Sequence, residues 1–264
     1  MRYIFLLALI MMALPAFAAG DSYYLEDLTW PEVKERMARG VDTVIIPSGG
    51  TEQNGPHIAI GKHNRIVRYT SGEIARQLGN ALAAPVLAYV PEGRVNPPEG
   101  HMLFPGTISV NEEDFARVLE DAARSFKQEG FKHICFIGDH GGNQKVQQEV
   151  ADKLNREWKN EGITVINVSD YYNDREADAW ARKLGIKSPD AHAGFMDASE
   201  IMAIDGGVRP ALIRHYSEKD FAASGVMGDP SGATAEYGKT LLDFKVKAAV
   251  EQIRRETGQS AGGK

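Results

Sequence analysis

The stretch HICFIGDHGGNQKVQQEVADKL, residues 133–154, contains the unit from which the fold is built. Residues 134–137 are a continuous apolar run, which predicts a strand buried on both faces. A glycine-rich turn follows, and Val146, Val150 and Leu154 then recur at four-residue spacing, which predicts a helix. A strand, a turn and an amphipathic helix in this order are typical of an α/β protein.

The same alternation continues on both sides of this unit. Further strands are predicted at residues 43–46, 85–90 and 163–168. Further helices are predicted at residues 30–39, 66–78, 112–129 and 233–255. Apolar strands joined by helices form right-handed βαβ units and a parallel sheet that helices cover on both faces. We therefore predict a single α/β domain with a mostly parallel β-sheet flanked by helices.

The N-terminus has the features of a signal peptide. Arg2 precedes the apolar residues 4–12, and the small-residue pattern AFA at 16–18 suits a cleavage site. The apolar run is shorter than the roughly 20 residues that cross a bilayer, although an uncleaved anchor is the alternative. We predict a signal peptide over residues 1–18, a mature domain over 19–264 without membrane attachment, and a secreted or periplasmic location.

Composition narrows the class of partner. Lys and Arg total 30 against 36 Asp and Glu, and no basic cluster of the kind that binds phosphate backbones is present. A nucleic acid partner is therefore not expected, and a small-molecule substrate is. The single cysteine, Cys135, lies in an apolar strand, which excludes an intrachain disulfide and argues against a cysteine nucleophile.

Potential metal ligands follow the predicted strands. Bound molecules and ions lie beyond the carboxyl ends of parallel strands. Glu52 and His63 follow the first predicted strand, and His140 follows the third. A carboxylate and two imidazoles form the ligand set of a catalytic zinc-type site that keeps a position for water. Taken singly, each could instead be a hydrogen-bonded turn residue or a salt-bridged surface group.

Other chemistries have weaker support. Ser48 and Ser199 lie near candidate bases, but the sequence has no Gly-x-Ser-x-Gly elbow. The glycine-rich turns lack the spacing of nucleotide-binding loops. Residues 91–106 are rich in Pro and Gly and have no period, so we predict a long loop that forms the wall or lid of a pocket.

Several segments spread along the chain resemble the creatininase (creatinine amidohydrolase) family. They are LTWPE at 28–32, EQNGPH at 52–57, FPGTIS at 104–109, DHGGN at 139–143, HAG at 192–194, GDP at 228–230 and ATAE at 233–236. The resemblance implies a parallel-sheet α/β amidohydrolase, commonly hexameric, that uses a pair of zinc or manganese ions to open a cyclic amide. Members also act on other small ring or amide substrates. Because members of the family are commonly hexameric, we expect a homo-oligomer.

The chain departs from the family pattern at positions that matter for metal binding. Glu52 and His140 match family ligands. Asn54, however, occupies the position of a ligand His in the family pattern, and His63 occupies the position of the bridging Asp. Gly142 stands where creatinine-specific members carry a Glu. Most ligands of the second metal are thus missing, so we predict one divalent metal per chain. Imidazole ligands favour zinc, with manganese as the alternative.

The remaining site residues are also assigned through the resemblance. A family His-x-x-x-x-Glu pattern, whose members sit near substrate and metal, maps to His192 and Asp197. We predict that His192 donates a proton to the leaving nitrogen and that Asp197 is a fourth metal ligand or the base that orients water. Asn54 and His57 are predicted to bind substrate or to support the ligands.

The predicted function is that of a metal-dependent hydrolase acting on a small cyclic amide or a related C–N bond through a metal-activated water. Two alternatives remain open at this point. One is a secreted metal- or ligand-binding protein that has lost turnover, because fold does not fix function. The other is hydrolytic ring opening of a cyclitol or sugar-like ketone.

Overall fold

The computed structural model describes residues 22–173, 175–187, 191–204, 207–216 and 221–259. The predicted signal peptide, residues 1–18, lies outside this part of the chain. Across the described ranges, no helix is long and apolar enough to cross a membrane.

A parallel sheet of four strands in the order β2-β1-β3-β4 forms the centre of the domain. The strands are β1 (Thr43–Ser48), β2 (Ala81–Ala83), β3 (His133–Gly138) and β4 (Thr164–Asn167). β1 and β3 pair in parallel from Thr43 opposite His133 to Ser48 opposite Gly138. All four carboxyl ends therefore meet at one edge of the sheet, and the predicted α/β fold class is confirmed.

Helices connect and cover these strands. They are α1 (Trp30–Ala38), α2 (Lys62–Leu78), α3 (Glu112–Glu129), α4 (Gly141–Glu157), α5 (Arg175–Lys183), α6 (Phe195–Ile204), α7 (Phe221–Ser224) and α8 (Ala235–Thr257). The ends of α3 follow from its sequence: the Asn111 side chain accepts a hydrogen bond from Asp114 N at 2.7 Å, and Gly130 ends the helix with φ 107°.

The sheet is buried on both faces, which explains its continuous apolar strands. Successive side chains point to opposite faces, so Val44 and Ile134 pack in one cluster with residues of α3 and α4. Ile45 and Cys135 pack in a second cluster with residues of α2 and α8. The result is a three-layer domain in which the carboxyl edge of the sheet is left for the functional site.

The strand predicted at residues 85–90 is wrong. The strand that pairs with β1 is Ala81–Ala83, and residues 85–90 make only isolated bridges, Leu87 with Ser48 and Val90 with Ser109. Ala84 N donates to Ile45 O, and the next donor to β1 is Leu87 N, which reaches Pro47 O, so one extra residue interrupts the regular ladder even though these residues are apolar.

Candidate metal centre at the carboxyl edge of the sheet

The structure brings the three predicted metal ligands together. Glu52 follows β1, His140 directly precedes α4, and His63 lies in the first turn of α2. Glu52 Oε1 is 2.8 Å from His63 Nε2, and Glu52 Oε2 is 3.4 Å from His140 Nε2. One ligand atom from each residue lies within 4.8 Å of the other two. This spacing suits a single divalent ion, although ligation itself stays a prediction.

The electrostatics of the site favour a cation. Burial alone raises the pKa of the Glu52 carboxyl, but the adjacent His140 and His63 rings, with the charges of His63 and Lys62, hold it well below its usual range. Glu52 is fully buried, and its Oε2 has no hydrogen-bond partner among the described residues. A buried, ionised carboxylate with an unpaired oxygen is costly unless positive charge compensates it, so the donor set fits a divalent metal.

Asp139 orients the His63 ring. Its Oδ2 accepts a hydrogen bond from His63 Nδ1 at 2.8 Å, and its Oδ1 accepts one from Tyr171 Oη at 2.7 Å and one from Lys245 Nζ at 3.0 Å. With Nδ1 donating to this carboxylate, Nε2 is the nitrogen that faces Glu52 and is left for a metal. A carboxylate behind a ligating imidazole is the usual way that proteins fix the tautomer and orientation of such a ligand.

His192 presents a free lone pair to the same cavity. Its Nε2 donates a hydrogen bond to the backbone oxygen of Gln53 at 2.9 Å, and its Nδ1 lies 3.5 Å from Glu52 Oε1. Burial lowers the pKa of His192 to about 3, and the charge of Lys62 acts in the same direction. The ring is therefore neutral at neutral pH, with an unprotonated Nδ1, so the predicted donor role requires that it first take up a proton.

Asp197 lies in the first turn of α6, a helix that the sequence analysis did not identify. Its Oδ2 accepts hydrogen bonds from Lys62 Nζ at 2.5 Å and from Ala193 N at 2.7 Å. Burial raises the pKa of Asp197, but the Lys62 charge outweighs it and the net shift is downward. Asp197 lines the cavity with one oxygen already paired to Lys62, and its predicted role as ligand or base stays a prediction.

Asn54 and His57 support the turn that carries Glu52. The Asn54 amide donates to the backbone oxygen of Glu52 at 2.9 Å, and His57 Nε2 donates to the backbone oxygen of Ala193 at 3.0 Å. Both side chains are fully buried, and neither lies among the residues that line the cavity of about 1050 Å³. Of the two predicted roles, support of the ligands fits these contacts better than substrate binding.

Three charged or polar side chains at the site were missed by sequence reasoning. Lys62 is 1% exposed, and its Nζ lies 3.7 Å from Glu52 Oε1. His101 Nε2 lies 3.4 Å from Glu52 Oε2, and Glu52, His101 and His192 form a second group of closely spaced ligand atoms. The third residue, Glu92, contacts the same His140 Nε2 that faces Glu52.

Glu92 belongs to the predicted loop at residues 91–106. Its Oε2 lies 3.0 Å from His140 Nε2, and burial raises the pKa of its carboxyl. A Cβ at Gly142 would lie 2.4 Å from the backbone oxygen of Pro91. The loop thus occupies the space of any side chain at position 142 and brings a different carboxylate to His140. Together, Glu52 and Glu92 raise the pKa of His140 to about 9 against the opposing effect of burial.

A parallel α/β domain with a carboxylate and imidazoles at the carboxyl edge of its sheet defines a class, the metal-dependent hydrolases. The family model described as creatinine amidohydrolase matches residues 26–253. The chain belongs to the creatininase family and is a hydrolase.

Individual relatives are distant but match over most of their length. The mycofactocin precursor peptide peptidase of Mycolicibacterium smegmatis is 26% identical over 81% of this chain and 85% of the relative. The creatinine amidohydrolase of Pseudomonas putida is 24% identical over 90% of this chain and 98% of the relative. Solved creatininases in a manganese form and in a zinc–zinc form share the fold, each with a TM-score of 0.74 and 23% identity. They cover 89% and 90% of this chain and 98% and 99% of their own.

Proposed function

We propose that this chain hydrolyses a small cyclic amide or a related C–N bond, with one divalent metal held by Glu52, His63 and His140. The observation that carries the proposal is the group of three ligand atoms within 4.8 Å of one another, built around an unpaired oxygen of Glu52. The names of the relatives support the bond type, since a peptidase and a creatinine amidohydrolase both cleave a C–N bond.

The chain's own residues supply the proton transfers. When bound, a divalent metal lowers the pKa of water toward ~7 and polarises a substrate carbonyl. His192 Nδ1, with its free lone pair, accepts the proton of the attacking water and then passes that proton to the leaving nitrogen. Burial, together with the charge of Lys62, keeps His192 neutral, and Lys62, held by Asp197, adds positive charge beside Glu52.

The two alternatives are not favoured. A protein that only binds a metal is not favoured, because two relatives that match four-fifths or more of this chain are named as a peptidase and an amidohydrolase. Enzymes of these two kinds cleave C–N bonds. Ring opening of a cyclitol ketone breaks a different bond.

The test is elemental analysis after exhaustive dialysis. We expect about one equivalent of zinc, or of manganese, per wild-type chain, and hydrolysis within a screen of lactams, cyclic ureas and N-acyl compounds. His140→Ala should lose both metal and hydrolysis with its circular dichroism spectrum intact. His215→Ala is the matched control, because His215 is exposed and pairs with Asp229. Metal retained by His140→Ala would remove the proposed site, and two ions per wild-type chain would refute the stoichiometry.

We also propose that the chain assembles into a homo-oligomer, a hexamer by the family resemblance, and that it acts in a secreted or periplasmic location. Sedimentation velocity of the purified protein measures the assembly.

A further inference from the structure

His101 lies at the metal centre, on a short 3-10 helix, Gly100–Leu103, within the loop at residues 91–106. Its Nε2 is 3.4 Å from Glu52 Oε2, and its ring lies 4.3 Å from that of His192 between centroids. Proximity alone allows two opposite roles. A lone pair on Nε2 would make His101 a metal ligand, whereas a proton there would make it a hydrogen-bond donor. The position of the ring proton therefore decides what His101 does.

The neighbouring Gln53 amide determines that position. Gln53 Oε1 accepts a hydrogen bond from Gly55 N at 3.0 Å, and Gln53 Nε2 donates one to the backbone oxygen of Gly225 at 3.0 Å. These two backbone partners fix which end of the amide is oxygen and which is nitrogen, an assignment that otherwise has to be inferred. The end that faces His101 is therefore the NH₂ group.

Gln53 Nε2 lies 2.9 Å from His101 Nδ1. An amide NH₂ can only donate, so Nδ1 accepts, and the neutral His101 ring carries its proton on Nε2. The same amide nitrogen lies 3.1 Å from His192 Nε2, but that nitrogen already donates to the backbone oxygen of Gln53 at 2.9 Å. The two amide hydrogens of Gln53 thus go to the backbone oxygen of Gly225 and to His101 Nδ1.

The backbone holds His101 in this relation to Gln53. Thr107 Oγ1 accepts a hydrogen bond from Gln53 N at 3.1 Å and donates one to the backbone oxygen of His101 at 2.9 Å. The Nε2–H is not used by Glu52, because Glu52 Oε2 has no hydrogen-bond partner among the described residues. His101 also lines the cavity, so this N–H is available to a bound molecule.

We propose that His101 is a catalytic residue of the hydrolysis, a neutral imidazole whose Nε2–H donates a hydrogen bond to the substrate oxygen on which negative charge develops. The proposal rests on the proposed C–N hydrolysis. A donor that is already oriented beside the reacting carbonyl stabilises the transition state without reorganisation, and a neutral imidazole can serve as this electrophile. No covalent step is involved, and His101 keeps its proton throughout.

The first test observes the tautomer directly in zinc-loaded wild-type protein labelled with ¹⁵N-histidine. The signal of His101 is assigned as the one that disappears in His101→Gln. We expect a protonated Nε2 and an unprotonated Nδ1. An unprotonated Nε2, or a Nε2 signal shifted by direct binding to zinc, would overturn the proposal.

The second test separates a donor from a ligand. His101→Leu should keep about one metal per chain and lower kcat by roughly 10²–10³, the usual effect of removing one such donor. His101→Gln, which offers an amide N–H, should recover part of that loss, and the matched control His215→Leu should behave as wild type. Loss of metal in His101→Leu, or an unchanged kcat, would contradict the donor role. Failure of the proposed function itself would appear differently, as wild-type protein without metal or hydrolysis.

Discussion

At the scale of single residues, the position of Lys62 determines the protonation of its neighbours. Its ammonium group is almost fully buried, 2.5 Å from Asp197 and 3.7 Å from Glu52. Burial lowers the pKa of Lys62, but the charges of Asp197 and Glu52 outweigh it, so the net shift is upward and the group stays charged. With burial, this fixed charge keeps His192 neutral, so its Nδ1 lone pair is open at neutral pH.

Replacement of His192 by Ala should lower kcat by roughly 10²–10⁴, the usual contribution of general acid–base catalysis, and leave the metal content unchanged. The reason is that His192 Nδ1 offers a free lone pair for proton transfer, whereas Glu52, His63 and His140 supply the metal ligands. Steady-state kinetics with elemental analysis of the same sample measures both quantities. If the variant loses its metal, His192 is a ligand and its assigned role is wrong.

Part of this site could be read from the sequence. Glu52 and His140 stand directly after apolar strands, and chain topology places such residues at one edge of the sheet. Lys62 could not be recognised in this way, because lysine is rarely buried and nothing local distinguishes a buried one. Glu92 and His101 lie in a loop without periodicity, where only tertiary structure determines which side chains point inward.

At the scale of elements, α8 completes the support of the metal centre. Lys245 Nζ donates to Asp139 Oδ1 at 3.0 Å and to Glu200 Oε2 at 2.9 Å, and Asp139 in turn orients His63. The sequence predicted this helix and its apolar face. Lys245 follows Leu242 by three residues and precedes Ala249 by four, so it lies within that apolar face, which was the available signal.

Lys245→Met should destabilise the protein by about 3–5 kcal/mol, the usual cost of removing one partner from a buried ion pair. The side chains of Asp139 and Glu200 are each 1% exposed. Without Lys245, the Asp139 carboxylate loses a charge partner that lowers its pKa, and the pKa of Glu200, which burial already raises to about 7, rises further, so that this carboxyl takes up a proton. Lys247→Met is the matched control on the same helix, because Lys247 pairs with Glu176 at the surface and should contribute about 0–1 kcal/mol. Guanidinium unfolding midpoints compare the two variants, and equal midpoints would show that Lys245 does not stabilise the buried cluster.

Some helices and strands could be predicted from the sequence and others could not, for physical reasons. β1, β3 and β4 are apolar on both faces and were recognised by composition, as were the capped helices α1 and α3. β2 has only three residues and precedes Pro85, so the longer apolar run behind it was mistaken for the strand. α6 has apolar residues on most of its circumference, which hides the helical period.

At the scale of the whole molecule, Tyr23 anchors the N-terminal end of the described residues to the sheet. Ala83 N donates to the backbone oxygen of Tyr23 at 2.8 Å, and Tyr23 packs against the core cluster that α2 and α8 share with the sheet. Cys135 lies fully buried in that cluster, and burial raises the pKa of its thiol. A protonated, inaccessible thiol is not prone to oxidation, which is compatible with export to an oxidising compartment.

We propose that the first 18 residues direct export. Expressed in a host with two membranes, the full-length chain should be recovered from the periplasm with Ala19 as its first residue, which intact mass and N-terminal sequencing determine. A variant that lacks residues 2–18 should remain in the cytoplasm and have the same circular dichroism spectrum and metal content, because Tyr23 and the residues after it make the contacts that hold this end of the chain. Recovery of the uncleaved chain in the membrane fraction would instead establish an N-terminal anchor, the alternative that the short apolar run at residues 4–12 leaves open.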